Sequence, residues 1–588
     1  RSPALCPGCR EAYVLALIEL SQEQKDVVEL PLGPIAVTAC AGSGKTRTAV
    51  HRLAQMRSRL KDDRGIVALL SFSNVAVDTF RNDYRELLAV NDSCRRVSGI
   101  EIDTVDGFIV SNILRPHGHR VMDCSRTPYL VEGREPFLSS FSVYDGTRSH
   151  PISQLRTRCT ASKLEFGLGN HFQPVNASFA SAALAKLGKH GAYTHAAAPY
   201  WVLKLLRAFP ALLNAFARRY PQILVDEAQD IGPLHEEILQ TLVKAGSVVS
   251  LIGDANQGIY EFSGADGSFL NRYGSIAGVT VRNLSSNFRS VPPILHIANA
   301  LCGRKDQPER SAPETLHGAF YFPFEAGGRD AALGVFRNLM AAAKIAHSRC
   351  AVLCRSSEWA SEWAGLGEEQ GQGIVRWFAE AVIHRDRHGR MDKAFECACA
   401  GIIGLLEDRY QGLAARLLRG PLTSETTSLR RTIWSFVRDT TNGLPDGKLL
   451  AASEWHPLLG PRVRSLLARL ATDHGMATGS NLGQRLANRA LENRPLVEVP
   501  NLIEPHAPKL RVCTVHKAKG ESIDAVMYVV NKSQATNLLD GPITEVGRIG
   551  YVALTRARNL FVLAIPKNAM KDLEPRLKTI GFKRAGNP

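Results

Sequence analysis

Residues 35–46 read Ile35-Ala36-Val37-Thr38-Ala39-Cys40-Ala41-Gly42-Ser43-Gly44-Lys45-Thr46. An apolar run suited to a buried strand ends in a glycine turn, and a helical pattern follows. A phosphate-binding loop requires that order, because glycines let backbone N–H groups converge on phosphate oxygens at a helix N-terminus. Lys45 is placed to neutralise the β and γ phosphates of a nucleoside triphosphate, and Thr46 to offer a hydroxyl to Mg²⁺. Gly42, Ser43, Gly44, Lys45, Thr46 and the adjoining Arg47 form the expected nucleotide-binding stretch. Cys40 stands inside it, and its thiol is expected to make nucleotide binding sensitive to thiol reagents.

A second apolar run, Ile223-Leu224-Val225, ends in Asp226-Glu227-Ala228-Gln229-Asp230. Two adjacent acids at a strand's carboxyl end can divide the labour of hydrolysis: Asp226 holds Mg²⁺ and Glu227 polarises the attacking water. An acid after a strand is, taken alone, equally well explained as a helix N-cap. Together with the glycine loop it points to a nucleoside triphosphate as the ligand.

Working outward, Ile66–Ser71, Val248–Ile252, Cys350–Leu353 and Val526–Val530 repeat the pattern of a short apolar run followed by a helical stretch. Strands alternating with helices imply an α/β fold with parallel sheets. They fall into two clusters, one over roughly 20–290 and one that begins near 290, breaks, and resumes near 505. Each cluster carries an insertion. That at about 90–195 is rich in Ser, Thr, Arg and His; that at about 370–505 has helical apolar spacing in Ile402–Leu418 and Val463–Leu470. Over 381–490, 16 basic residues face 10 acidic ones, which suits either a solvated helix surface or nucleic-acid contact.

The 588 residues, at about 150 per domain, suggest some four structural units. With 45% hydrophobic and 22% charged residues the composition is that of a globular chain, neither disordered nor fibrous. Lys and Arg number 72 against 56 Asp and Glu, a net charge of +16 that favours a polyanionic partner. No apolar run reaches the ~18 residues of a membrane span, so no membrane is expected. The 12 scattered cysteines suit reduced thiols in the cytoplasm. Cys6-Pro-Gly-Cys9 has zinc-ligand spacing but no second pair nearby, and Cys350, Cys354, Cys397 and Cys399 read as small core residues.

Further motifs stand in the order of the UvrD/Rep-type superfamily 1 helicases, which the chain resembles over nearly its whole length. The segments are Leu20-Ser21-Gln22-Glu23-Gln24, Leu69-Leu70-Ser71-Phe72-Ser73-Asn74, Thr104-Val105-Asp106-Gly107-Phe108, Gly253-Asp254-Ala255-Asn256-Gln257-Gly258-Ile259-Tyr260, Leu284-Ser285-Ser286-Asn287-Phe288-Arg289-Ser290, Thr514-Val515-His516-Lys517-Ala518-Lys519-Gly520-Glu521, and Tyr551-Val552-Ala553-Leu554-Thr555-Arg556-Ala557-Arg558. The resemblance implies that Gln24 reads the adenine edge, Gln257 senses the γ-phosphate, Phe288 lies on the adenine and Arg289 meets the γ-phosphate. It implies a ribose contact for Glu521 and an arginine finger at Arg556. For DNA it implies Phe72, Asn74, Thr104, Thr514 and His516, with Tyr260 and Phe262 stacking on bases. Phe262-Ser263-Gly264 stands where the family has Trp-Arg-Gly, and Glu521 directly follows Gly520 where the family has Lys-Gly-Leu-Glu.

The implied architecture is two RecA-like P-loop domains with parallel sheets, each carrying an inserted, mainly helical subdomain. Residues 1–90 and 195–290 would form the first, with 91–194 inserted; 291–369 and 506–588 the second, with a reduced insertion at 370–505. The implied activity is ATP- and Mg²⁺-dependent movement along single-stranded DNA, 3′-to-5′, separating 3′-tailed duplexes in repair, recombination or anti-phage defence. A motor or ATPase switch acting beside a separate nuclease or repair protein, without unwinding of its own, is the alternative.

Overall fold

The computed structural model describes residues 20–62, 64–89, 99–131, 138, 140–160, 162–169, 171–260, 264–265, 267–325, 327–364, 372–387, 389–407, 413, 417, 423–488, 491–497 and 510–585. Cys6, Cys9 and Phe262 lie outside them.

The first sheet has strands β1 (Ile35–Ala39), β2 (Val67–Ser71), β3 (Ile100–Thr104), β4 (Gln222–Val225), β5 (Val248–Gly253) and β6 (Thr280–Leu284), in spatial order β6-β1-β5-β4-β2-β3. All pairs are parallel, with Val37 opposite Ile252 on one side and Arg282 on the other. Side chains alternate between two cores: Ala36, Leu70, Val225 and Leu251 enter one, and Val37, Leu69, Leu224 and Ile252 the other. Helices cover both faces, which is why the central strands read as near-continuous apolar runs. From β1 the chain crosses to β2 on one side; from β5 it crosses to β6 on the other. The carboxyl ends of β1 and β5 therefore flank a crevice, the usual ligand position in open α/β sheets.

The second sheet repeats the design with β7 (Gly318–Phe324), β8 (Cys350–Cys354), β9 (Arg511–Thr514), β10 (Ile523–Val529), β11 (Ala557–Pro566) and β12 (Lys583–Arg584), ordered β9-β8-β10-β11-β7-β12 and parallel throughout. Cys350 and Cys354 are buried on β8. A third core draws only on residues 375–497, from helices α1 (Gly373–Val382), α2 (Met391–Ile403), α3 (Ser424–Arg438) and α4 (His456–His474), with Trp455 at its centre. Cys397 and Cys399 are buried there.

Two expectations are corrected. The segment 91–194 is not mainly helical: Ile100–Thr104 completes the edge of the first sheet, and short strands, among them the antiparallel pair Leu155–Thr160 and Lys163–Leu168, accompany the helix Ala177–Lys189. Its short alternating runs pair locally, a signal weaker than that of the buried strands. The helical reading of Ile402–Leu418 fails at its start, because α2 ends at Ile403. Gly401 and Gly404 weaken the helix there, and Leu406 bridges to Thr478 instead.

Candidate active site

The loop after β1 turns at Gly42 and Gly44, both with φ +76°, and Gly44 caps helix α5 (Lys45–Arg59). Each glycine is required twice over. A Cβ at Gly44 would stand 2.5 Å from Gln24 Nε2, and one at Gly42 2.5 Å from Arg289 Cβ. Lys45 and Thr46 occupy the first turn of α5, half-buried, and Arg47 is exposed beside them. Among the described residues no hydrogen bond or ion pair claims Lys45, so its ammonium is available to an anion.

Gln24 braces this loop. Its Nε2 donates to the Ser43 carbonyl at 2.8 Å, and its Oε1 accepts from Ser21 N at 3.0 Å, closing the capping box of the helix Gln22–Val28. One amide thus already joins helix to loop, where the family resemblance assigned it to an adenine edge. Cys40 is 1% exposed and burial, then Asp306, push its thiol up to about 12. The expected thiol sensitivity is corrected accordingly: the group is neither accessible nor ionised.

Asp226 and Glu227 leave the end of β4. Asp226 is buried, with Oδ1 unpartnered, and burial followed by the neighbouring Glu227 charge holds its carboxyl above the usual range. A buried carboxylate oxygen without a donor, near the Thr46 hydroxyl's turn of α5, is a hard-oxygen set suited to Mg²⁺. No group of three or more His, Cys, Asp or Glu that could hold a metal is found among the described residues. Glu227 adopts φ +54°, an uncommon conformation for a non-glycine residue. Burial opposes its charge, yet Lys45, Lys519, the Gln229 hydrogen bond and Arg556 together hold its carboxyl low. Glu227 is thereby kept ionised by its neighbours, while Asp226 is the acid whose buried charge a bound cation would compensate.

Opposite stand two arginines. The Asn287 amide donates to Ala41 O at 2.5 Å and accepts from Arg289 N at 3.0 Å, pinning Arg289 against the loop. The Arg289 guanidinium donates to Thr555 O at 3.0 Å, and burial, then Arg556, push it down to about 9. Helix α6 (Glu545–Arg556) ends at the second arginine. Arg556 Nη2 donates to Gln257 Oε1 at 2.7 Å, and Gln257 Nε2 donates to Asp254 Oδ2 at 2.7 Å. Phe288, 42% exposed, lies at the mouth of the crevice. Glu521 presents its backbone carbonyl, 3.4 Å from Arg556 Nη1, while Arg511 engages its carboxylate in two hydrogen bonds.

The residues assigned to DNA follow the carboxyl ends of both sheets. After β2, Phe72 meets His235 edge-on at 6.0 Å and Asn74 is exposed at the start of the helix Asn74–Ala89. Thr104 and Thr514 end β3 and β9 and cap the short helices behind them, accepting from Gly107 N at 2.9 Å and Lys517 N at 3.4 Å. His516 lies 3.0 Å from Ile259 O, its ring 5.7 Å from that of Tyr260, and burial lowers its pKa. Tyr260 and His516 are thus brought together, one from each half of the chain, whereas Phe72, Asn74 and Thr104 lie at the β2–β3 side.

Three contributors had no assigned role. Lys519 bonds Asp230 and the Gln257 carbonyl, the latter at 2.9 Å, and lies 4.9 Å over the Tyr260 ring. Gln229 links Glu227 to Asp254 N, accepting from the latter at 2.9 Å. Arg304 lies 3.7 Å from Asp254. The first two stand inside quoted motifs, the only signal that could have found them; Arg304 stands in none.

The UvrD/REP helicase N-terminal domain matches residues 20–163 and 198–275. The chain is 27% identical to the ATP-dependent DNA helicase UvrD2 of Mycobacterium tuberculosis, over 92% of this chain and 77% of that protein. It is 26% identical to DNA helicase II of Escherichia coli, over 48% of this chain and 40% of that one, and 24% identical to the ATP-dependent DNA helicase PcrA of Staphylococcus aureus, over 50% and 41%. No helix among the described residues is long and apolar enough to cross a membrane. The domain match runs through the glycine loop, the acidic pair and the loop after β5, and over these segments the chain is similar to the UvrD/Rep-type helicases.

Proposed function

We propose that this chain is an ATP-hydrolysing DNA motor that moves 3′-to-5′ along single-stranded DNA and parts 3′-tailed duplexes. The observation that carries the reading is the 2.7 Å hydrogen bond from Arg556 to Gln257, which joins the helix ahead of β11 to the loop after β5 across the nucleotide crevice. The two sheets act as RecA-like motor domains, residues 20–104 with 195–290 and residues 291–369 with 510–585; 105–194 and 370–505 are inserted in them. The polarity rests on the family resemblance.

ATP binds on the glycine loop, where Lys45 meets its β and γ phosphates and Phe288 its base. Asp226 and Thr46 hold Mg²⁺, which supplies charge neutralisation at the phosphates. Glu227, kept ionised by its cationic neighbours, orients and deprotonates the attacking water. Arg289 and Arg556 stabilise charge developing on the γ-phosphoryl group, so a cleft closed around ATP hydrolyses fastest. Water adds to the γ-phosphorus as its bond to the ADP oxygen breaks, and departure of the inorganic phosphate so formed removes that anion and lets the halves part. Tyr260 and His516 lie on the same seam, and a strand stacked on Tyr260 feels each closure. Stacking is worth about 1–3 kcal/mol per base without sequence preference.

Steady-state ATP hydrolysis with and without single-stranded DNA, comparing the native chain with Glu227→Gln at low salt, tests this. Strong stimulation lost in the variant, with separation of 3′-tailed duplexes, is expected. Stimulation without separation marks a translocase or switch working with a partner; no hydrolysis overturns the motor reading.

A further inference from the structure

Arg304 follows the helix Pro292–Cys302, which Gly303 ends at φ +69°. The turn beyond is built around it. Asn299 grips Asp306 twice, by its amide to Asp306 O at 2.9 Å and from Asp306 N at 3.2 Å, and the Asp306 carboxylate takes Arg304 Nε at 3.0 Å. So held, Arg304 Nη1 reaches between the two sides of the nucleotide crevice, 3.4 Å from Ala39 O at the end of β1 and 3.7 Å from Asp254 Oδ1 beyond β5.

Asp254 is fully buried and accepts from Gln257, which in turn accepts from Arg556. The order of donors in this chain is forced. An ionised carboxylate only accepts and a guanidinium only donates, so the Gln257 amide must turn its NH₂ to Asp254 and its oxygen to Arg556. A neutral Asp254 could donate instead, and the amide would then be free to flip and set NH₂ against the guanidinium. A buried carboxylate is held charged by hydrogen-bond donors and a compensating cation together; besides Gln257, Asp254 accepts from Asn256 N at 3.1 Å, and the remaining requirement is the cation. The groups facing Asp254 are Arg304 and Arg556, with Asp306, Tyr551, Cys302 and Cys40 adding no positive charge. Arg556 is the group being positioned, which leaves Arg304 as the resident cation.

We infer that Arg304 is a positioning residue: by holding Asp254 as a charged acceptor it fixes the amide of Gln257 so that an oxygen meets Arg556. This rests on the motor reading above. Arg304 touches no nucleotide in this scheme and acts through Asp254 and Gln257.

The test measures kcat and KM for DNA-stimulated ATP hydrolysis in Arg304→Met, Arg304→Lys, Asp254→Asn and the Asp254→Asn/Arg304→Met double variant, with thermal melts of each. Arg304→Met is expected to lower kcat by roughly tenfold, with KM for ATP within about twofold of the native value. Arg304→Lys, which keeps the cation, should recover most of the loss. The double variant should be no slower than Asp254→Asn alone, since an amide cannot ionise. Native kcat in Arg304→Met, a Lys variant as slow as the Met variant, or losses that multiply in the double variant would each overturn the assignment. Should Arg304→Met melt early, Arg304→Gln takes its place in the same cycle. A native chain that hydrolyses no ATP overturns the motor reading and this inference with it; an active native chain with an unaltered Arg304→Met overturns only the inference.

Discussion

Gly42 of the phosphate loop lies so close to Arg289 that a Cβ on the glycine would stand 2.5 Å from the arginine's own Cβ. The contact means that the loop and the arginine cannot be repositioned independently. Gly42→Ala meets both this clash and the φ of +76°, a conformation that costs a side chain about 1–2 kcal/mol before any displacement of Arg289. The variant should bind ATP weakly and melt several degrees lower. Gly33→Ala is the control, because a Cβ there meets nothing within 4 Å. Equal melting temperatures and ATP affinities for the two variants would remove Gly42 from the argument.

Arg556 donates to Gln257 from a fully buried position, so its loss should be felt in the chemistry and little in binding. Arg556→Lys keeps the charge but loses the fork that reaches Gln257, Val552 O and Glu521 O together. A fall in kcat of about 10³-fold is expected, the size seen when a transition-state arginine is removed. ATP affinity, read by equilibrium titration, should stay near native. A variant that loses affinity and kcat in parallel would place Arg556 in ground-state binding instead.

How legible this cleft was depends on the kind of contact. Lys45 and Asp226 could be placed in one crevice because each follows an apolar strand, and strands of one parallel sheet release their loops at one edge, whereas Gln257 was placed there by the family resemblance. The strands themselves declared their burial by unbroken apolar runs. Arg304 and Lys519 could not be given roles, since their partners, Asp254 and Asp230, are set by the docking of distant segments and leave no spacing to read. Gln24 shows a third case: its residue type suits an adenine edge, and the 2.8 Å bond by which it braces Ser43 O is set by loop geometry that no spacing displays. The short strands of 91–194 were missed because a half-exposed ribbon of three to six residues carries little periodic signal.

Asp230 predicts a pH dependence. Burial raises its carboxyl from 3.8 to about 6, although Lys519 opposes the shift. A raised carboxyl binds its proton more tightly folded than unfolded, so its contribution to stability is complete below 3.8 and lost as pH rises through about 6. Asp230→Asn removes that titration. The stability difference between native and variant chains, from urea unfolding, should be more favourable to the native chain at pH 5 than at pH 7.5 by on the order of 1 kcal/mol. A difference that is constant with pH, or of opposite slope, would contradict the assignment.

The Tyr260 ring takes the Lys519 ammonium on its face at 4.9 Å, and Lys519 also bonds Asp230 and the Gln257 carbonyl. A base stacking beside that ring therefore touches, through one lysine, both the acidic loop and the residue that holds Arg556. Removing the ring should weaken single-stranded DNA binding and its stimulation of hydrolysis more than it weakens hydrolysis without DNA. Tyr260→Ala is expected to cost about 1–3 kcal/mol in DNA affinity, while Tyr260→Phe, which keeps the aromatic face, should retain most of it. The measurement is fluorescence anisotropy with a labelled oligonucleotide, paired with ATPase assays at saturating DNA. If the Phe variant fails as badly as Ala, the ring face is not what DNA uses; if both bind normally yet lose stimulation, Tyr260 serves only the Lys519 contact.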